Sequence, residues 1–312
     1  MTSTLSSGDS RKWLKLAKTI VAHHLGGAPQ RIARQGGGLT NLVYGVRHAK
    51  GDFVVRISPE KDKLHVFHKE HHASEKARAT GVPTAEVLYV GDEAVPHPYM
   101  VQTWVRGQIA TNHPARLKIL HEVGRYGALI NSIETAGFGS PCLDEPGTAR
   151  PCATWAEFLK TEIGLERRLQ SLIEHRMLDL ERVQRLREVL ETADSGVSHG
   201  QLVHGDLRLK NVLVDERGRI AAIIDWEESL SSLAPHWEWS IALHDLSIDE
   251  MQAFLTGYGA SAERIEAAAL VVKALNIVNY VPEIERLVEG GAVEQLQWIR
   301  IRMSAALDLY SL

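Results

Sequence analysis

The chain has 312 residues and a mass of 34.6 kDa, enough for one large domain or two joined lobes. Its 44% hydrophobic and 24% charged content is that of an ordinary folded protein and excludes collagen-like, low-complexity and wholly disordered chains. A net charge of −4 and a pI near 6.4 give no basic footprint for nucleic acid, whereas a mildly acidic surface suits a cationic small molecule.

In chain order, the first predicted element is a helix over about 10–25. Asp9 or Ser10 is available to cap it, Trp13, Leu14, Ala17, Ile20, Val21, His24 and Leu25 recur at helical spacing, and Gly26 and Gly27 end it. Three short strands with glycine-marked turns follow, RIARQ, LVYGVRH and FVVRIS, with GGGLTN between the first two. A helix over about Leu64–Thr80 precedes two more strands, around VLYV and YMVQTWV. Beyond Gly107 the pattern turns helical, over 115–134, 155–192 and 249–310. One strand-rich island interrupts it, QLVHGDLRLKNVLVDERGRIAAIIDW over 201–226, in which VLV and RIAAII flank the turn Asp215 to Gly218 as a hairpin.

The expected architecture is therefore α+β and two-lobed. Residues 1–106 form a small β-rich lobe with the N-terminal helix, the crossing lies near 103–107, and 107–312 form a larger helical lobe carrying the β-hairpin. A cleft between lobes is where ligands usually bind. The N-terminal stretch MTSTLSSGDSRKW carries no signal-like apolar core, and the apolar stretch from about Ala267 to Val281 is interrupted by Lys273, Asn276 and Asn279. The only cysteines, Cys142 and Cys152, form neither a disulfide framework nor a zinc pair. A soluble cytoplasmic protein with no membrane partner is expected, its oligomeric state left open.

The hairpin carries the chemistry. Antiparallel pairing brings Asn211 and Asp225 to the same end of the ribbon, and a turn at 216–217 predicts an offset of about three residues, roughly 10 Å. Asp206 lies five positions before Asn211. Two acids and an amide converging on one edge are hard oxygen donors suited to Mg²⁺, which bridges substrate phosphates. Singly, each residue reads equally as an Asp or Asn marking a turn.

Together, H204-G-D-L-R-L-K-N211 and I223-I-D-W226 resemble the catalytic segment of the aminoglycoside phosphotransferase family, relatives of the protein kinases with the same two-lobed fold. The resemblance implies that Asp206 accepts or orients the proton of the substrate hydroxyl, that Asn211 and Asp225 hold Mg²⁺, and that His204 supports the loop. Inside this loop relatives commonly have a His-Pro pair, whereas this chain has Leu207-Arg208-Leu209-Lys210, which puts Arg208 where protein kinases have a catalytic-loop lysine, so Arg208 or Lys210 is implied to touch the transferring phosphoryl group. In the N-terminal lobe, Gly38, Thr40 and Asn41 of the glycine-rich loop are implied to cover the phosphates of ATP or GTP. Arg56 stands where protein kinases have a lysine that reaches them. Glu70 matches its partner on the following helix, and backbone groups near Thr103 and Val105 match the segment that reads the nucleotide base. The segments G137-F-G139, T154-W-A-E-F158 and D225-W-E227 with Glu238 further resemble the hygromycin B phosphotransferase subgroup.

The resemblance implies in-line transfer of a γ-phosphoryl group to a small-molecule hydroxyl, with an aminoglycoside as the first acceptor. Choline, a sugar, homoserine or a macrolide is the alternative acceptor, and a non-catalytic nucleotide-binding pseudokinase the alternative class. A polycationic acceptor requires carboxylates, for which Glu227, Glu238 and Asp245 are candidates among the acids of the second lobe. Two decoys are set aside. G196-V-S-H-G200 imitates a hydrolase serine motif, but a helix precedes and a strand follows it. His65, His68, His71 and His72 share one helix without the spacing of known zinc motifs.

Overall fold

The computed structural model describes residues 7–36, 41–141, 150–193 and 199–308. Helix α1 (Ser7–Leu25) leads into strands β1 (Arg31–Arg34), β2 (Leu42–His48) and β3 (Gly51–Ile57), then α2 (Leu64–Ala79), β4 (Val87–Gly91) and β5 (Tyr99–Thr103). The strands form an antiparallel sheet in the order β1-β2-β3-β5-β4. Its two faces follow from alternation along each strand. Tyr44, Val46, Phe53, Val55, Ile57, Tyr99 and Val101 point to one face and pack against Trp13, Ala17, Ile20, Val21 and Leu25 of α1. Each buried Val, Leu, Ile or Phe among them contributes about 1.5–3 kcal/mol. The opposite face carries Arg56 and Met100 and is covered by α2 through Phe67. Helix α1 begins at Ser7, earlier than expected, so Asp9 lies within the helix.

After Thr103 the chain crosses to β6 (Gln108–Ile109), which pairs with the hairpin of the second lobe. There follow α3 (Arg116–Asn131), the short α4 (Trp155–Phe158) with a π turn, α5 (Leu165–Glu174) and α6 (Leu180–Glu191). The expected single helical run over 155–192 is thus three helices, broken by left-handed backbone at Gly164 and by the cap of α6 at Asp179. Strand β7 (Gln201–Val203) pairs with β10 (Leu230–Ser232), and between them lies the predicted hairpin of β8 (Val212–Val214) and β9 (Ile220–Ile223). Helices α7 (His236–Ala242), α8 (Ile248–Tyr258), α9 (Ala262–Asn279), α10 (Val281–Glu289) and α11 (Val293–Asp308) complete the lobe.

Two apolar clusters hold this lobe together. One joins Trp155, Phe158, Leu169 and Leu186 to α9 and α10, the other packs α3 and α8 around Leu202, Leu207, Val212 and Ile223. The stretch Ala262–Glu289 is long and apolar enough to cross a membrane, and here Leu275, Ile277, Val278, Ile284 and Leu287 of it are spent on the first cluster. The fold is a β-sheet lobe joined to a helical lobe, as the motifs implied.

Candidate active site

Strand β7 delivers His204, Gly205 and Asp206 to a loop facing the sheet lobe. Gly205 has φ +78°, and a Cβ there would stand 2.0 Å from the Glu228 carbonyl oxygen, so only glycine closes this turn. Both oxygens of Asp206 are held. Oδ1 accepts from Arg208 Nε at 2.5 Å, while Oδ2 accepts from Asn211 Nδ2 at 2.9 Å and lies 2.7 Å from Lys210 Nζ. Burial alone would raise this carboxyl, but the hydrogen bonds from Arg208 and Lys210 outweigh it and hold Asp206 below the usual aspartate range. The result is an oriented, ionised acceptor.

His204 is fully buried against Trp226 and props the loop from behind. Its Nδ1 accepts the Asp206 backbone N–H at 3.2 Å, which leaves Nε2 to donate to the Ile224 carbonyl at 3.2 Å. Burial pushes the imidazole down to about 4, so it is neutral and both nitrogens are engaged. The loop is braced from below by Glu238, whose Oε2 accepts the His204 backbone N–H at 2.6 Å. Glu238 is completely buried, and burial pushes its carboxyl up to about 7. It does not face the cleft, which corrects its expected place among the substrate carboxylates: between the tryptophans of H236-W-E-W239 it is carried into the core and supports the H-G-D turn. Asn131 and Tyr258 add a second brace, with Asn131 donating to the Leu202 carbonyl at 3.0 Å and accepting from the Tyr258 hydroxyl at 2.9 Å.

Asn211 and Asp225 lie closer in register than the ideal ribbon predicts. The ladder shifts between Leu213 and Val214, so Val212 faces Ile223 and the Ile224 N–H bonds the Asn211 carbonyl at 2.9 Å. The bulge absorbs one residue and the turn, centred on Arg217, another, so Asp225 stands one position beyond Asn211's partner rather than three. Asp225 adopts φ +65°, sparse for a residue with a side chain and tolerated best by Asp and Asn. Its carboxylate is about half exposed, 3.9 Å from the Arg56 guanidinium of the other lobe. Arg56 in turn pairs with Glu70 of α2, both nearly buried, and lies over the Phe67 ring. The basic strand residue, its helix glutamate and the acid after β9 are one connected group.

Asn41 and Glu227 line a single pocket between the lobes with Ser58, Glu60, Lys63, Val66 and Phe67. Gly38 and Thr40 lie outside the described residues, as do Cys142 and Ser198. The Thr103 N–H is committed to the Glu86 carbonyl at 2.9 Å and its hydroxyl accepts from the Glu86 N–H, so Thr103 has no free main-chain donor for a base. Val105 follows in the open connection. Asp245 is half exposed and joined to the catalytic loop through Arg208, at 3.6 Å, while Arg302 of α11 bonds it at 2.9 Å. Other acids of the lobe serve elsewhere: Glu250 caps α8 and pairs with Arg116, Glu283 with Arg286, and Glu285 with Arg167. The support given by Glu238 was missed in the sequence, where an acid flanked by two buried tryptophans was the available signal.

The donor chemistry fits a hard divalent cation. Asn211 spends its Nδ2 on the carbonyl and carboxylate of Asp206, leaving the amide oxygen for a metal, and Asp225 offers an exposed carboxylate. Oxygen donors alone, without imidazole or thiolate, select Mg²⁺ over softer ions.

Several solved structures share this architecture. The aminoglycoside phosphotransferase APH(4)-Ia superposes with a TM-score of 0.70 at 16% identity, over 95% of this chain and 98% of that one. A thermostable mutant of the same enzyme, in a ternary complex with AMP-PNP and hygromycin B, gives 0.69 at 18% identity, over 94% and 97%. The GDP and kanamycin complex of APH(2″)-IIIa gives 0.61 at 17% identity, over 95% and 97%. No curated protein sequence matches significantly. The model of the phosphotransferase enzyme family matches residues 31–270, which spans the sheet, the catalytic loop, the hairpin and the helices α7 and α8. The chain belongs to the phosphotransferase enzyme family.

Proposed function

We propose that this small-molecule phosphotransferase moves the γ-phosphoryl group of a nucleoside triphosphate, with Mg²⁺, to a hydroxyl of an aminoglycoside, hygromycin B being the first to test. The observation that carries the reading is the assembly of Asp206, Asn211 and Asp225 opposite the Arg56–Glu70 pair, with Arg56 and Asp225 3.9 Å apart across the cleft. The complexes of similar structures with AMP-PNP and hygromycin B, or with GDP and kanamycin, support nucleotide and aminoglycoside as the ligand classes.

Phosphoryl transfer leaves the protein little covalent work, so positioning and charge neutralisation carry the rate. Asp206, ionised and fixed on both oxygens, orients the acceptor hydroxyl and receives its proton as the bond to phosphorus forms. Arg208 is the cation nearest to that carboxylate and balances the charge developing on the transferring group. Arg56, held by Glu70, grips the nucleotide phosphates, and Asn41 covers them. Asn211 and Asp225 would hold Mg²⁺, which supplies neutralisation of phosphate charge. Glu227, in the pocket beside Lys63, and Asp245 are the acids placed to meet a cationic acceptor. Asp245 already serves two arginines, and this observation favours a less cationic hydroxyl compound, such as a sugar, as the second reading.

The test is incubation with Mg-ATP or Mg-GTP and a panel of aminoglycosides and sugars, followed by mass analysis. A phosphorylated aminoglycoside supports the first reading, a phosphorylated sugar alone replaces it with the second, and nucleotide binding without any product refutes both.

A further inference from the structure

On the face of the sheet away from Arg56, the last turn of α1 meets the loop between β4 and β5. There the side chains of His23, His24 and Glu93 bring one ligand atom each within 4.8 Å of one another. His24 Nε2 lies 3.5 Å from Glu93 Oε1. Two ligands of a tetrahedral Zn²⁺, each about 2.0–2.1 Å from the ion, sit about 3.3–3.4 Å apart, so this pair already spans one edge of such a site. The His23 and His24 rings stand nearly perpendicular with centroids 4.6 Å apart, so the second imidazole is at hand.

His24 stacks on Tyr89 at 4.2 Å, which fixes its ring; the Tyr99 hydroxyl bonds its Nε2 at 2.7 Å and also bonds the Glu93 carboxylate, so a metal held by Nε2 takes the place of the Tyr99 hydrogen bond there. Glu93 folds back over Gly91: a Cβ on Gly91 would stand 1.9 Å from Glu93 Oε2, so the missing side chain is the cradle that lets the carboxylate reach the histidines. The location is favourable as well, since the C-terminal turn of a helix carries the negative end of its dipole and attracts cations. Two imidazoles on a helix end and a carboxylate from the facing loop have the composition of a borderline transition-metal site.

We infer that His23, His24 and Glu93 bind one first-row divalent transition-metal ion of the Zn²⁺ class, with solvent completing the coordination. Such an ion clips α1 to the β4–β5 loop and is separate from the Mg²⁺ site, because α1 packs on the opposite face of the sheet from Arg56.

The test uses the full chain without an affinity tag, titrated with ZnCl₂ by calorimetry and with Co²⁺ by visible absorption. One Zn²⁺ per chain is expected, with a rise in Tm on zinc addition and tetrahedral Co²⁺ bands. His23→Ala and Glu93→Gln, both at exposed positions, are expected to keep the metal-free Tm and each to weaken zinc binding by about tenfold or more. Absence of stoichiometric binding, or wild-type affinity in either variant, overturns the site. Binding that instead disappears when His65 and His68 of α2 are replaced overturns it too, since it assigns the zinc to the histidine-rich helix.

Discussion

The Asp206 carboxylate meets three polar partners at once, and its environment sets what it does. Because the Arg208 and Lys210 hydrogen bonds hold it low, it is a weak base at neutral pH, and in the proposed reaction its part is chiefly to orient the hydroxyl. His204, already down at about 4 and bonded on both nitrogens, contributes no titration near neutrality. The kcat/KM profile is therefore expected to show no acid limb between pH 6 and 7 that His204→Gln removes; such a limb would reassign the base. Glu238 gives a second prediction. Its folded value of about 7 exceeds the ordinary 4.5, so the stability it contributes is complete below 4.5 and is lost as pH rises through 7. The unfolding free energy of the wild type from urea titrations should fall across that window by up to about 1.4 kcal/mol per pH unit, and Glu238→Gln should flatten the slope. An unchanged slope in the variant would show that another group carries the dependence.

At the scale of elements, the catalytic turn and the hairpin decide the site. Gly205 combines φ +78° with a carbonyl oxygen where a Cβ would go, so Gly205→Ala must move the Glu228 backbone or the turn. The strained backbone alone costs about 1–3 kcal/mol, and a chemical-denaturation midpoint as high as that of the wild type would refute the account of the turn. Much of this element was legible in the sequence: the strand, the H-G-D turn, the asparagine and the acid after β9 all stand in their expected order. The offset of Asn211 and Asp225 was not, because a bulge changes register without changing the residues that mark the turn. Helix breaks in the 155–192 run were likewise hidden, since amphipathic spacing continues on either side of Gly164. The burial of Glu238 could not be read from charge alone, which places acids on surfaces unless packing overrides it.

At the scale of the molecule, two lobes of different construction meet through polar contacts, among them Arg56 to Asp225 and the Ile223 N–H to the Pro83 carbonyl, and through Ala73, Ala77 and Val82, which pack into the apolar cluster around Ile223 and Trp226. A nucleotide that engages both lobes stabilises the pair by mass action, by about 2.7 kcal/mol at a hundredfold excess over Kd. Mg-ATP is expected to raise Tm, Arg56→Ala to remove most of the rise, and chelation of Mg²⁺ by EDTA to reduce it in the wild type. A full shift in the Arg56 variant would place the phosphates elsewhere.

The most direct measurement is product mass analysis after reaction of wild type and Asp206→Asn with Mg-ATP or Mg-GTP and an aminoglycoside panel led by hygromycin B. The account predicts a singly phosphorylated drug with the wild type, reduced by about 10²–10⁴ in rate in the variant while the nucleotide-induced Tm shift persists. Phosphorylation at an equal rate by Asp206→Asn, or a wild type that binds Mg-nucleotide and phosphorylates no hydroxyl compound offered, would contradict it.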